Sequence, residues 1–333
     1  MVALCVAIVI GVGVGPVYIG PARVLETLWD GLAGNATTGT ASTIVNDIRL
    51  PRVLVGAMVG AMMAMSGAIL QGVTRNPLAD PHILGVSSGA GLVAVAGIVF
   101  LPGLSSAYLP IDIFGARVAS FAPIQPLAVL GGLVAGGVAY AMAWRGGVSP
   151  ARLALAGIAV TSMLTALISA VLVTSAFSAQ IGLRWLIGGL LGRNWNDFSQ
   201  ILPYFVVGTI ATLLMSRQLN VLAVGDEIAT SLGQHVERTR LFLVALAALL
   251  ASAAVSIAGL IGFIGLIVPH FVRLIIGNDY RFLIPTSALF GAVLLVLADT
   301  VARMIIEPQE LPVGVLTAVL GGPVFILLVR KRA

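Results

Sequence analysis

Long apolar runs separated by short polar stretches dominate this chain. The runs 1–17, 53–73, 84–101, 124–143, 152–175, 200–215, 241–262, 283–303 and 313–329 each come close to the roughly 20 residues a helix needs to cross a bilayer. The stretch 263–277 is also apolar, but Pro269 interrupts it, which predicts a short, half-crossing helix. The pattern thus predicts nine or ten spans. The polar stretches 20–50 and 216–240 are too short for an independent soluble domain, so residues 1–333 read as one transmembrane domain.

Composition supports this reading. Hydrophobic residues make up 59% and charged residues 9% of the 333-residue chain, whereas a soluble domain carries about 25% charged residues. A bilayer solvates such apolar faces and forces the backbone to satisfy itself within helices, so the fold class is all-α integral membrane. The 39 glycines suit close helix approach in lipid, and Gly56 with Gly60, and Gly132 with Gly136, form small-xxx-small pairs. Cys5 is the only cysteine, so no intrachain disulfide is possible. The net charge of +5 fits arginines at a membrane surface rather than nucleic-acid binding. Residues 1–17 show neither a basic leader nor a cleavage site, which predicts a first span whose leader is missing from the numbered chain, not a signal peptide.

Arginine placement suggests an orientation. With ten segments and both termini inside, inside loops hold eleven basic charges, including Arg75, Arg145, Arg152, Arg240, Arg273, Lys331 and Arg332. Outside loops hold seven, including Arg49, Arg52, Arg184 and Arg303. This is the expected direction. Gly67, Pro77 and Gly85 recur as Gly259, Pro269 and Gly277, each shifted by 192 residues, which suggests an inverted repeat.

The chain has no G-x-x-x-x-G-K-[ST] loop, so it cannot hold ATP by that device. His82, His235 and His270 are far apart in sequence, and metal ligation is not expected. No paired catalytic groups are visible.

Four segments carry information. Arg49-Leu-Pro-Arg52 precedes the second run, and Pro51 suits a helix start; the arginines read either as interfacial anchors or as a positive patch for an acidic partner. Arg303 falls on the same side, four residues after Asp299, so an i,i+4 pair is the default for that carboxylate. Arg75-Asn-Pro-Leu-Ala-Asp-Pro81 ends one helix and starts the next, and the following Ser87 and Ser88 could line a constriction. Thr161, Thr165 and Ser169 share one helical face; they could line a pathway, bond back to helix carbonyls, or glue neighbouring helices. Gly225-Asp-Glu-Ile-Ala-Thr-Ser-Leu-Gly233 reads as a short helix outside the membrane, with Asp226 and Glu227 at its positive end and Gly233 as cap. Its apolar edge, Ile228 and Leu232, suits a cytosolic partner or the lipid interface.

Together these segments, with Leu84-Gly-Val-Ser-Ser-Gly-Ala90, Ile261-Gly-Phe-Ile-Gly-Leu-Ile-Val-Pro-His270, Leu297-Ala-Asp299 and Glu310-Leu-Pro-Val-Gly314, resemble the FecCD-type permeases of ferric-siderophore, haem and vitamin B12 ABC importers across nearly the whole chain. The resemblance implies an inverted-repeat bundle of about ten helices of the type II importer kind, in the bacterial inner membrane. It implies pairing with a second permease subunit, identical or paralogous, around a central pathway. It further implies two cytosolic ATP-binding subunits, which hold the ATP and Mg while this chain binds no cofactor, and an outer substrate-binding protein. On the family pattern Arg49, Arg52 and Arg303 face acidic residues of that binding protein. Gly225, Asp226, Glu227, Ala229, Leu232 and Gly233 form the ATPase-coupling helix. Ser149 and Pro150 fall at the inner gate, although Pro150 departs from the small hydroxyl residues usual there. Trp185 to Trp195, with its Gly-Arg-Asn-Trp ending, resembles the siderophore branch more than the haem or cobalamin branches. An ion-coupled transporter would require further mid-membrane carboxylates besides Asp299, and an intramembrane enzyme would require paired catalytic groups.

Overall fold

The structure, a computed structural model, describes all residues except 34–38, 107–108, 114–115, 175, 307–308 and 331–333. Lys331 and Arg332 of the inside charges therefore lie outside the described residues.

The chain folds as α1 (Val2–Gly13), α2 (Pro21–Leu32), α3 (Thr40–Thr74), α4 (Val86–Phe100), α5 (Ile124–Ala143), α6 (Pro150–Val173), α7 (Ala176–Ile187), α8 (Trp195–Leu214), α9 (Ser216–Val224), α10 (Asp226–Ser231), α11 (Val236–Ala258), α12 (Ile264–Ile276), α13 (Tyr280–Ala302) and α14 (Val313–Arg330). Six of these, α3, α5, α6, α8, α11 and α13, are long and apolar enough to cross a membrane, and α1, α4, α12 and α14 are shorter apolar helices. Among the described residues, an antiparallel hairpin also forms, β1 (Leu109–Ile113) and β2 (Ala116–Phe121).

Two helices form the centre. α3 is almost wholly buried and packs on α13, α11, α12 and α8; α11 is the next most buried and also packs on α5. Met62, Met63 and Met65 are fully buried, flexible side chains that fill the gaps between converging helices. Close backbone approach depends on glycine: a Cβ on Gly60 would collide with the Gly291 carbonyl of α13, and one on Gly132 would lie 2.5 Å from Ser252 Cβ on α11. Gly60, Gly132 and Gly136 therefore mark helix crossings within the chain, whereas Gly56 faces Leu190 in the connection between α7 and α8. By contrast, α6 and α8 are mostly uncovered by the rest of the subunit.

The structure refines three readings. Pro51 stands in the first turn of the α-helical segment Leu50–Thr74, but the helix as a whole starts earlier. The helix begins at Thr40, and a π-helical stretch over Thr43–Arg49 passes the Leu50 N–H back to Val45, so the ladder is already shifted where Pro51 has no N–H to give. The 192-residue matches do not carry into local structure. Gly67 sits inside α3, whereas Gly259 caps α11 at φ +69°; Pro77 lies between helices, whereas Pro269 lies within α12. In so glycine-rich a chain, equal spacing does not imply equal geometry. Finally, the polar stretch 20–50 contains α2, begun by Pro21 at its first turn and buried through Val24 and Thr27.

Candidate functional site

Polar side chains gather at the two ends of α3. From Leu50 to Thr74 that helix has 25 residues, about 37 Å at 1.5 Å per residue. The ends are called outer and inner after the arginine distribution.

At the outer end, Arg52 grips Asp299 of α13 with both arms, Nε–Oδ2 at 3.0 Å and Nη2–Oδ1 at 2.9 Å, and its Nη1 reaches Glu310 Oε2 at 2.7 Å. Arg303 adds an ion pair to Asp299 Oδ2 at 3.3 Å, the expected i,i+4 partner. Its Nη2 also donates to the Gly11 carbonyl at 2.8 Å. Arg49 donates to the carbonyls of Val12, Gly13 and Val17 at 2.9, 3.0 and 2.6 Å. Two arginines thus satisfy the last carbonyls of α1, which the helix itself leaves without partners, and place positive charge at its negative end. All three are buried: Arg49 is 6%, Arg52 7% and Arg303 3% exposed. This differs from the expected outward patch. The guanidinium groups are spent inside the subunit on Asp299, Glu310 and α1, and bidentate carboxylate geometry favours that. A cleft of about 660 Å³ opens beside them, lined by Arg184, Glu310 and Pro312 among others.

At the inner end, Gly225 at φ +141° turns the chain from α9 into α10. Asp226 Oδ1 accepts from Arg240 Nη2 at 2.7 Å and from Arg75 Nη2 at 3.2 Å. Ala229 is buried and seats the helix; Glu227 is exposed, and Ile228 and Leu232, 49% and 68% exposed, point away from the subunit. Gly233 follows at φ +79°. α10 covers six residues of the predicted segment and is preceded by α9, which hydropathy did not separate. A cleft of about 630 Å³ lies beside it, lined by Arg75, Asn220, Arg273 and Asp279 among others. The hydrogen bonds from Arg281, and then from Asn220, hold the Asp279 carboxyl well below the usual carboxylate range.

The remaining predicted residues divide. Ser149 caps α6, its Oγ accepting from Arg152 N at 3.4 Å and from Arg152 Nε at 3.0 Å; Pro150 takes the first helical position, where a missing N–H costs nothing. Thr161 is half-buried and donates to the His82 carbonyl at 3.4 Å. Thr165 and Ser169 are exposed, and Ser169 bonds back to the Thr165 carbonyl at 3.1 Å. Ser87 and Ser88, in contrast, are buried at 1% and 9% exposure inside the first turn of α4. Close glycine packing holds α4 against α5 here: a Cβ on Gly89 would meet the Gly131 carbonyl.

The Gly192–Trp195 string also has a local explanation. Asn194 and Asp197 form a capping box that starts α8, Arg193 pairs with Asp197 at 3.2 Å, and Trp195 Nε1 donates to the Asn46 carbonyl at 2.9 Å.

The structure is an apolar helix bundle with helices long enough to cross a membrane, a largely uncovered α6 face that mixes apolar and hydroxyl side chains, and a short exposed helix seated at one end. The model of the FecCD transport family matches residues 3–331, and the chain belongs to that family. The cobalamin import system permease protein BtuC of Halobacterium salinarum is 47% identical over 88% of this chain and 75% of its own length. The Fe(3+)-citrate import system permease protein YfmD and the iron(3+)-hydroxamate import system permease protein FhuB, both of Bacillus subtilis, are 41% and 40% identical, over 91% and 99% of this chain and 84% and 81% of their own lengths. A solved metal-chelate type ABC transporter in an inward-facing conformation superposes with a TM-score of 0.81 at 28% identity, over 99% of this chain and 97% of that one. The chain is therefore an ABC transporter permease of the cytoplasmic membrane.

Proposed function

We propose that this permease carries an iron(III) chelate of the siderophore class inward, as one of two permease subunits, identical or paralogous, around a shared pathway. Two cytosolic ATPase subunits, holding ATP and Mg, would dock on α10 and the neighbouring cleft, and an outer binding protein would deliver the chelate. The observation that carries this reading is α10. A six-residue helix with Ile228 exposed, followed at its C-cap by the exposed Leu232, is held to the subunit by a charge-assisted bond from a buried arginine. Exposed apolar side chains on a firmly seated helix suit a partner groove.

The uncovered face of α6 fits the pathway and the subunit contact. It bears Leu155, Ile158, Ser162, Thr165 and Ser169, so contacts with a bulky solute would be weak and many, as release requires. The outer arginines would serve delivery indirectly. Arg52 fixes Glu310 on the rim of the outer cleft, while Arg184, exposed in that cleft, is the better candidate for direct contact.

A second reading is cobalamin, favoured by the 47% identity to a cobalamin permease. Uptake into vesicles containing the permease, its ATPase and its binding protein, assayed with ferric hydroxamate, ferric citrate, haem and cobalamin, distinguishes the two. ATP-dependent uptake of an iron chelate is expected. Uptake of cobalamin alone would replace the substrate assignment, and uptake without the ATPase would overturn the reading.

A further inference from the structure

We infer that Arg240 is the positioning residue that ties the docking helix α10 to the turn that caps the pathway helix α6. This rests on the ATP-driven reading above and names the side chain that would carry the motion. Arg240 lies in the first turns of α11 and is 1% exposed. Its Nη2 donates to Asp226 Oδ1 at 2.7 Å, and its Nη1 donates to Glu237 Oε1 at 2.9 Å and to the Val148 carbonyl at 2.8 Å. Glu237 Oε2 in turn accepts from the Val148 N–H at 3.3 Å. Both polar groups of the Val148 peptide are thus fastened to one face of α11. The next residue, Ser149, caps α6, and Arg152 of α6 reaches back to the Gly147 carbonyl at 2.9 Å.

The chain of contacts runs from Asp226 through Arg240 and Glu237 to Val148 and into the first turn of α6. One rigid, planar guanidinium spans it, and a lysine ammonium could not hold these three acceptors in that plane. Arg240 Nε is buried without a hydrogen-bond partner. Withdrawal of Asp226 would leave Nη2 bare in the same buried place, and such unmade bonds are costly. The favourable response is for the side chain to follow α10 and take the Val148 turn with it. Arg75, the other cation on Asp226, is about one-third exposed, so water screens that contact and it transmits less.

The test uses the complete complex with its ATPase in vesicles, and reads chelate transported per ATP hydrolysed alongside co-purification of the ATPase. Arg240→Met and Arg240→Lys should still assemble, and transport per ATP should fall roughly fivefold or more, with lysine giving no rescue. Glu237→Gln should give a smaller loss. Amide hydrogen exchange over residues 147–153 should quicken in each variant. An unchanged ratio in an assembled Arg240→Met complex would overturn the inference, even if its yield or thermal stability drops. If Arg240→Met fails to assemble, Glu237→Gln decides, and an unchanged ratio there overturns it too. A parent complex without ATP-driven uptake would instead defeat the functional reading.

Discussion

The two ends of α3 use the same chemistry in opposite ways. At the outer end, Asp299 is 3% exposed and meets both Arg52 and Arg303, while the other arginine donors go to Glu310, to Thr300 and to carbonyls at and just beyond the end of α1. At the inner end the arginine is just as buried, but its carboxylate partners are not: the side chains of Asp226 and Glu237 are 41% and 37% exposed. The Asp299 pairing gains nothing from moving, because displacement of Asp299 or Arg303 leaves a charge bare in an apolar surrounding, and only Glu310, with its side chain 23% exposed, borders the outer cleft. A cluster with one wet side can exchange a protein contact for water at modest cost. The outer group is thus suited to holding α1, α3 and α13 together, and the inner group to passing displacement between segments.

The sharpest way to break this contrast is to remove the shared acceptor of the outer cluster. Asp299→Ala leaves the Arg52 and Arg303 cations facing each other with only Glu310 to compensate. Loss of one partner from a buried pair costs about 3–5 kcal/mol, so a large fall in the thermal unfolding temperature in detergent is expected. An unaltered unfolding temperature would show that the cluster does not hold the helices. Charge reversal at Arg49 or Arg52 would therefore act first on folding, and a loss of binding-protein affinity in such variants would not by itself mark a contact.

The inner end should behave conversely. Ile228→Ser with Leu232→Ser removes exposed apolar side chains, so the isolated permease should unfold at its former temperature. Each side chain, if buried in a partner groove, contributes about 1.5 kcal/mol or more, close to tenfold in affinity. Titration of the purified ATPase onto the permease should then show a loss of roughly a hundredfold. Unchanged affinity would move the docking surface away from α10.

How much of this was legible in the sequence depends on the range of the interaction. Six of the predicted spans, the Asp299–Arg303 pair and the short inner helix follow from spacing along one helix and lie where periodicity put them, whereas the runs 1–17, 84–101, 263–277 and 313–329 form shorter apolar helices. The Arg52–Asp299 grip joins residues 247 apart, which no local pattern reveals; the only sign was a carboxylate in an apolar run, which had to find a cation somewhere. The capping of α1 by Arg49 was less visible still, because carbonyl acceptors leave no mark in a sequence. Burial of Ser87 was not legible because a hydroxyl beside glycines reads equally as pore lining or as tight packing, and the close approach of Gly89 to Gly131 depends on a separate helix, α5. Arg240 was counted only as an inside charge, although Glu237 three residues before it and Asp226 fourteen before it were already in view.

The smallest expected effect belongs to a third ion pair, which tests whether exposure alone separates the two ends. Asp279 caps α13, accepting from Arg281 N at 3.0 Å and Arg281 Nη2 at 2.6 Å, while Asn220 Nδ2 donates to it at 2.7 Å from α9. These donors hold its carboxyl below the ordinary range. A depressed carboxylate stabilises the fold above its unfolded value, near pH 3.9, and loses that contribution only as pH falls toward the lower folded value. Between pH 8 and about 5 the cap should therefore not respond to pH, and Asp279→Asn should barely shift the unfolding temperature, since an exposed pair is screened by water. The change should be local: faster amide exchange at Tyr280–Leu283 in the variant at neutral pH. A fall in unfolding temperature as large as that of Asp299→Ala would mean that exposure is not what divides the charge clusters of this permease into those that hold and those that move.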